Sequence, residues 1–515
     1  SSAVLPPIGD YNPIEDYLAE SSSKKSLQQR ASCLVNTSTW DGATAGSFPY
    51  CVNNLGSGGS ITFSGVSTIT TTSTQAFGGN SYTITGPITF VINFLWSGTG
   101  SGSLTFSGVT FSGGTLGIKL ANGALTLTNV VVSGVTVAVT TAQPYMKAGN
   151  IAISGSNVTS NTFTGNGYGF SATVGTITVS NSIFISNVGA GGADLLRSST
   201  GVSLDTTTFT SNYVGNVVYS PGTLTVNSCG FTTNTVVSNN TGVINVPKNS
   251  VGTVTITNST FTASNVTAGG GAAAIISFLS TTITGSSITG TLGVSISPTS
   301  PIFMTNCYMT SNTGALITGT DVVQLTSCQI NNNVASANVI VASSYIIINS
   351  TTFMDNTITN ANDFITGTNI TTTATIINST FTSNSLPSGS LIILTGSLTA
   401  SMLSFQNNNV KYDISVSGLA TSLVTMSLTS STFEGETGTA LFATYATSTV
   451  DSCTFQNING VGNTGGGMNG LNANITLSNS YFTNTTAKNG GGLYWEGGAS
   501  SITNCNFVNN TAAPA

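Results

Sequence analysis

The stretch from Thr253 to Asn265, Thr-Val-Thr-Ile-Thr-Asn-Ser-Thr-Phe-Thr-Ala-Ser-Asn, limits what this chain can fold into more than any other feature, because near-copies of it return throughout. Val254 and Ile256 alternate with threonines at a period of two, the pattern of a half-buried strand. Asn258-Ser259 breaks the alternation, and Phe261 restarts its apolar side. Val179 to Asn187, Ile348 to Asn356 and Ile376 to Asn384 repeat the phrase. A unit this short cannot bury its own apolar face and must stack on its neighbours.

The residue after the Asn-Ser corner sets the count. It falls at Phe111, Val132, Val158, Phe184, Phe209, Phe231, Phe261, Ile288, Met309, Ile330, Phe353, Phe381, Phe405, Phe433, Phe455, Phe482 and Phe507, with a mean step of about 25 residues. Three residues on, ten of these positions have asparagine: Asn161, Asn187, Asn212, Asn234, Asn312, Asn333, Asn356, Asn384, Asn408 and Asn510. A strand, a corner, a second strand, a looser turn and a third strand fill one such step. This predicts an all-β fold, a right-handed parallel β-helix of about 19 coils, on the order of 90 Å long at ~4.8 Å per coil. A leucine-rich horseshoe has a similar period but needs helix formers and a Leu-x-x-Leu-x-Leu pattern, neither of which is present. The phenylalanines are expected to stack as a core column and the asparagines to form a hydrogen-bonded ladder along a corner.

Composition supports stacked strands. Charged residues make up 5% of the chain, hydrophobic ones 39%, and there is no histidine. Thr, Ser, Asn and Gly take the positions where Lys and Glu usually sit, and they are poor helix formers. A net charge of −6 with nine Lys and Arg excludes a nucleic-acid groove. No apolar run reaches membrane-spanning length.

Residues 1–32 carry none of the repeat. Asn12-Pro13-Ile14-Glu15 has the features of a helix start, and the segment is expected to form an arm with a short helix, lying on its own β-body or on another copy. Residues 33–100 are expected to form a cap and the first coils, pinned by a Cys33–Cys51 disulfide, and residues 101–515 the β-helix. Cys307 and Cys328 fall in successive coils, within reach of a second disulfide; Cys229, Cys453 and Cys505 are expected as buried thiols. The chain begins at Ser1 and is expected to be a processed, secreted product. Eleven sequons, at Asn36, Asn157, Asn239, Asn258, Asn265, Asn349, Asn369, Asn378, Asn474, Asn484 and Asn509, are glycosylation candidates.

The alternating Phe-x-x-Asn and Gly-Gly-Ala motifs resemble those of the chlamydial polymorphic outer membrane proteins. Phe-x-x-Asn is intact at Phe184 to Asn187, Phe209 to Asn212, Phe231 to Asn234, Phe353 to Asn356, Phe381 to Asn384, Phe405 to Asn408 and Phe507 to Asn510; Gly-Gly-Ala occurs at Gly191-Gly192-Ala193 and Gly270-Gly271-Ala272. The resemblance spans about residues 100–510 and implies a β-helix used for surface display, adhesion or assembly, with no common catalytic activity. The absence of a following barrel and the sequons depart from that family.

The chemistry-bearing residues are sparse. Within the repeat region Asp355 with Asp363, and Glu434 with Glu436 and Asp451, are the local acidic groups, and Lys411 has no evident second base. Pectate lyases and polygalacturonases place clustered Asp, Lys and Arg on one coil face. On this basis no catalysis, metal or cofactor is expected. The preferred expectation is a structural subunit of an extracellular filament, appendage or coat, joined head to tail to copies of itself, with other matrix or coat glycoproteins as further partners. Its motivation is the low charge, the arm, and a last coil followed only by Thr511 to Ala515. The alternative is a surface adhesin or glycan-binding rod, and a polysaccharide-degrading enzyme ranks third.

Overall fold

Alternating Thr and Val or Ile can satisfy a backbone only by pairing outward while burying every second side chain. The computed structural model does this about 18 times over. It describes residues 32–137, 144–164, 168–189, 191–237, 242–266, 273–291, 300–360 and 362–512. The chain is a parallel β-solenoid, all-β apart from one short helix among these residues. The expected N-terminal arm, Asn239 and the second Gly-Gly-Ala motif lie outside the described residues.

One coil shows the local logic. Strand Val254–Thr257 buries Val254 and Ile256, and Thr260–Thr262 buries Phe261. Between them Asn258 turns the chain with φ +48°, and Ala263 turns it again with φ +48°. These left-handed positions recur at the two corners of successive coils, as at Asn378 and Ser383. Asn is among the side chains that tolerate that region best, which is why the repeat keeps an Asn-Ser corner.

The seventeen positions counted in the sequence are consecutive register partners, from Phe111 beside Val132 to Phe482 beside Phe507. Ile69 and Phe90 extend the same column at its start. Phe184 to Phe261 and Phe353 to Phe507 stack face to face, with centroids 4.5–4.9 Å apart and planes within 17°. Each enclosed ring contributes roughly 2 kcal/mol or more of burial. All are buried except Phe507, which has a stacked neighbour on one side only among the described residues.

Toward residue 32, helix Phe48–Asn54 is capped by Ser47, whose hydroxyl accepts from the Tyr50 amide at 3.2 Å, and Pro49 sits in its first turn. A disulfide joins Cys33, in strand Ser32–Val35, to Cys51 in this helix, with Cα atoms 5.6 Å apart. Trp40, Phe48, Phe90 and Trp96 pack together beneath it. The sequence reading placed no helix here.

A nine-stranded sheet lines a second side of the solenoid, from Gln75–Gly78 through Ile118–Leu120, Met146–Ala148, Leu196–Ser198 and Val218–Tyr219 to Ala273–Ser277. It is the face that carries the candidate site.

Candidate functional site on the second sheet

Three short strands of the second sheet have a single outward residue, and in each it is a cation. Ile118-Lys119-Leu120, Met146-Lys147-Ala148 and Leu196-Arg197-Ser198 bury their flanking side chains and turn the central cation outward. Register places Lys119 beside Lys147, Lys147 beside Ser171, Ser171 beside Arg197, and Arg197 beside Tyr219.

Arg197 is the most tightly held of these side chains. The Gly-Gly-Ala turn, with Gly191 and Gly192 at φ +75° and +90°, delivers the buried Asp194 to its flank. Arg197 Nη1 donates to Asp194 Oδ2 at 2.8 Å, and Asn216 Nδ2 donates to Asp194 Oδ1 at 2.5 Å. Asn216 Oδ1 in turn accepts from the Gly242 amide at 3.1 Å. The guanidinium carbon lies 4.6 Å from the Tyr168 ring centroid and 4.0 Å from that of Tyr219. Burial pushes the Asp194 carboxyl up, while Asn216 and Arg197 pull it back. For Arg197, burial opposes the charge but Asp194 and the tyrosines outweigh it, raising the guanidinium above its ordinary value.

The Arg197 side chain stays one-third exposed. Nη1 is engaged, and among the described residues no acceptor meets the other N–H groups, leaving a fork that suits carboxylates and hydroxyls. Beside it opens a groove of about 310 Å³ lined by Ser171, Thr173, Ser199, Tyr219 and Pro221. The sequence reading singled out Gly191-Gly192-Ala193 but missed Asp194 and Arg197. The available signal was a lone cation preceded by a large apolar residue, at Lys119, Lys147 and Arg197.

The asparagines form two buried runs. In each, the amide N–H and Nδ2 of one residue donate to Oδ1 of the residue one coil on: Asn161 to Asn187, Asn212 and Asn234, then Asn312 to Asn333, Asn356, Asn384 and Asn408. Asn510 accepts from Thr485 at the same column position.

Glu436 occupies this column after Asn408 and accepts from its amide at 2.9 Å. It is therefore an interior residue, separated from Glu434, which points outward, and from Asp451 at a corner. Its neighbour Asp413 is fully buried, and neither of its oxygens has a donor among the described residues. A proton held between the two carboxyls would supply the donor that Asp413 lacks. Burial raises Asp413 well above the carboxylate range and Glu436 to about 8. Asp355 occupies a left-handed corner, whereas Asp363 accepts from the Ser390 amide. Lys411 lies 5.1 Å from the Tyr412 ring.

The expected Cys307–Cys328 disulfide is corrected: both are free thiols. They are neighbours in register, but parallel strands hold adjacent Cβ vectors parallel at the ~4.8 Å rung spacing, beyond the Cβ separation of ~3.8 Å that a disulfide needs. The thiols interact instead, which lowers Cys307 and raises Cys328. Their column is a second polar ladder that the sequence reading missed. Ser156, Ser182, Ser259, Ser286, Ser379, Ser431 and Ser480 each accept there from the amide one coil earlier. Cys505 is half-buried, and Cys229 and Cys453 are buried.

Among the described sequons, Asn36, Asn157, Asn258, Asn349, Asn369, Asn378, Asn484 and Asn509 are exposed, and Asn474 is half-buried.

No protein-family model and no curated protein matches the chain. Solved structures do. An alginate lyase matches at 10% identity over 93% of this chain and 100% of its own, with a TM-score of 0.22. A tailspike protein of E. coli bacteriophage HK620, in complex with a pentasaccharide, matches at 11% identity over 94% of this chain and 79% of its own, with a TM-score of 0.21. An alpha-1,3-glucanase from Streptomyces thermodiastaticus matches at 11% identity over 94% of this chain and 70% of its own, with a TM-score of 0.13. The expectation that the chain is not an enzyme is corrected: β-helix proteins that align along most of it include a lyase and a glucanase. At these identities and scores the likeness concerns architecture and assigns no activity.

Proposed function

We propose that the chain is an extracellular, glycosylated rod that binds carbohydrate through its second sheet. The observation that carries this is Arg197, clasped between Tyr168 and Tyr219 and anchored by buried Asp194 at the edge of a groove. A rigid fork of donors beside hydroxyl-bearing walls suits a sugar's hydroxyls and ring substituents. Exposed sequons and a disulfide support an exported protein. The test is a glycan array read with the wild type, Arg197→Ala and Tyr219→Ala. Binding lost in both variants, with unchanged circular dichroism, supports the reading; binding retained in both removes the groove as the site.

Self-assembly, the preferred expectation from the sequence, is the second reading. Exposed Ile183, Tyr308 and Tyr481 share one outward column of the long sheet, and few charges keep copies apart. Electron microscopy of native material tests it: filaments support head-to-tail or lateral assembly, and isolated monodisperse rods count against it.

A further inference from the structure

We infer that the ligand of the second sheet is an acidic polysaccharide that lies along the rod axis, with carboxylates on Lys119, Lys147 and Arg197. This deepens the carbohydrate-binding reading and rests on it. The chain has nine Lys and Arg in 515 residues, and three of them share one outward column. Lys248, exposed in the turn just beyond strand Gly242–Val246, adds a fourth cation beside the same sheet, outside the column.

The lysine pair is the independent observation. Lys119 and Lys147 are direct register neighbours, ~4.8 Å apart at the backbone. Like charges placed opposite one another destabilise a sheet. Among the described residues, neither lysine has a carboxylate within ion-pair distance, and the one ion pair is Arg197 with Asp194. A bound anion relieves this repulsion.

Spacing selects the kind of anion. Lys147 and Arg197 are two rungs apart, ~10 Å, with Ser171 on the rung between them, and the groove runs from Ser171 past Arg197 to Pro221. Charges at the two ends of an uncharged interval match a polymer whose carboxylates are separated by sugar rings. Arg197's fork suits a carboxylate, and the lysines suit point contacts. A nucleic acid has denser charge and needs more cations than this column offers.

The experiment titrates the full chain with oligogalacturonate, with its carboxyl-reduced neutral counterpart, and with polyglutamate. It compares the wild type with the Lys119→Gln/Lys147→Gln double variant, at low salt and at ~150 mM. Oligogalacturonate is expected to bind, to weaken with salt, and to lose about tenfold or more in affinity in the double variant, whose affinity for the neutral oligomer is unchanged. Equal binding of acidic and neutral oligomers, with the double variant unaffected, overturns the acidic-ligand inference and leaves the carbohydrate reading standing. Binding of polyglutamate alone, or of no probe, overturns both.

Discussion

The rings from Phe184 to Phe261 and those from Phe353 to Phe507 stack alike, and an asparagine run flanks each set. Their exteriors differ. In the coils up to Phe261 the second sheet consists of separate short strands, such as Leu196–Ser198 and Val218–Tyr219, and carries Lys119, Lys147 and Arg197, with Lys248 beside it. In the later coils the equivalent segments belong to the main sheet, some as short strands such as Ile365–Gly367 and some running on into long ones, Ser385–Leu394 and Asn409–Ser417. There the unusual polar residues, Asp413 and Glu436, are inside. One interior thus supports two exteriors, and the binding chemistry sits where short strands isolate single outward side chains.

The interior half of this comparison is tested by the largest effects. Phe405→Ala and Phe231→Ala each remove a ring from the middle of a stack, at an expected cost of about 3–5 kcal/mol in urea unfolding. A cost confined to one stretch would show that the two interiors are not equivalent. Asn384→Ala removes the acceptor of two Asn356 donors and a donor to the Phe353 carbonyl. Each orphaned group costs about 1–3 kcal/mol, and Asn212→Ala should match it in the earlier coils.

The pH response should separate the two stretches. Glu436 titrates at about 8 when folded, raised by burial, but in the ordinary carboxylate range when unfolded. Across that window the folded state holds the extra proton, so stability falls as pH rises from the carboxylate range toward 8. Glu436→Gln should reduce this slope in a Tm-against-pH profile, leaving the part contributed by buried Asp413; an unchanged slope would remove the shared proton. The smallest stability effect is expected outside. Arg197→Lys keeps a charge near Asp194, so stability should move by about 0.5 kcal/mol or less. Carbohydrate affinity should still fall about tenfold, because lysine lacks the planar fork. Equal affinity would reduce Arg197 to a point charge.

The fold was legible because its signal repeats. Phe, Val, Ile and Met at one offset give the column, and corner asparagines give the turns. Individual departures were harder to read. Glu436 looked like part of an acidic cluster because linear proximity to Glu434 hides a reversal of face across the Gly435 corner. Cys307 and Cys328 were correctly placed one rung apart, but side-chain direction forbids the bond. The Arg197 site depends on residues from successive coils, so Tyr168, Asp194 and Tyr219 come together only once the register is known.

The paired left-handed corners have a consequence for inheritance. Each coil leaves Asn258- and Ala263-like positions in the same geometry in which it entered, so a whole coil can be inserted or deleted while its neighbours keep equivalent partners. Gain or loss of a whole coil therefore changes the reach of the rod in increments of ~4.8 Å. Length becomes a trait that selection can adjust separately from whatever the surface recognises.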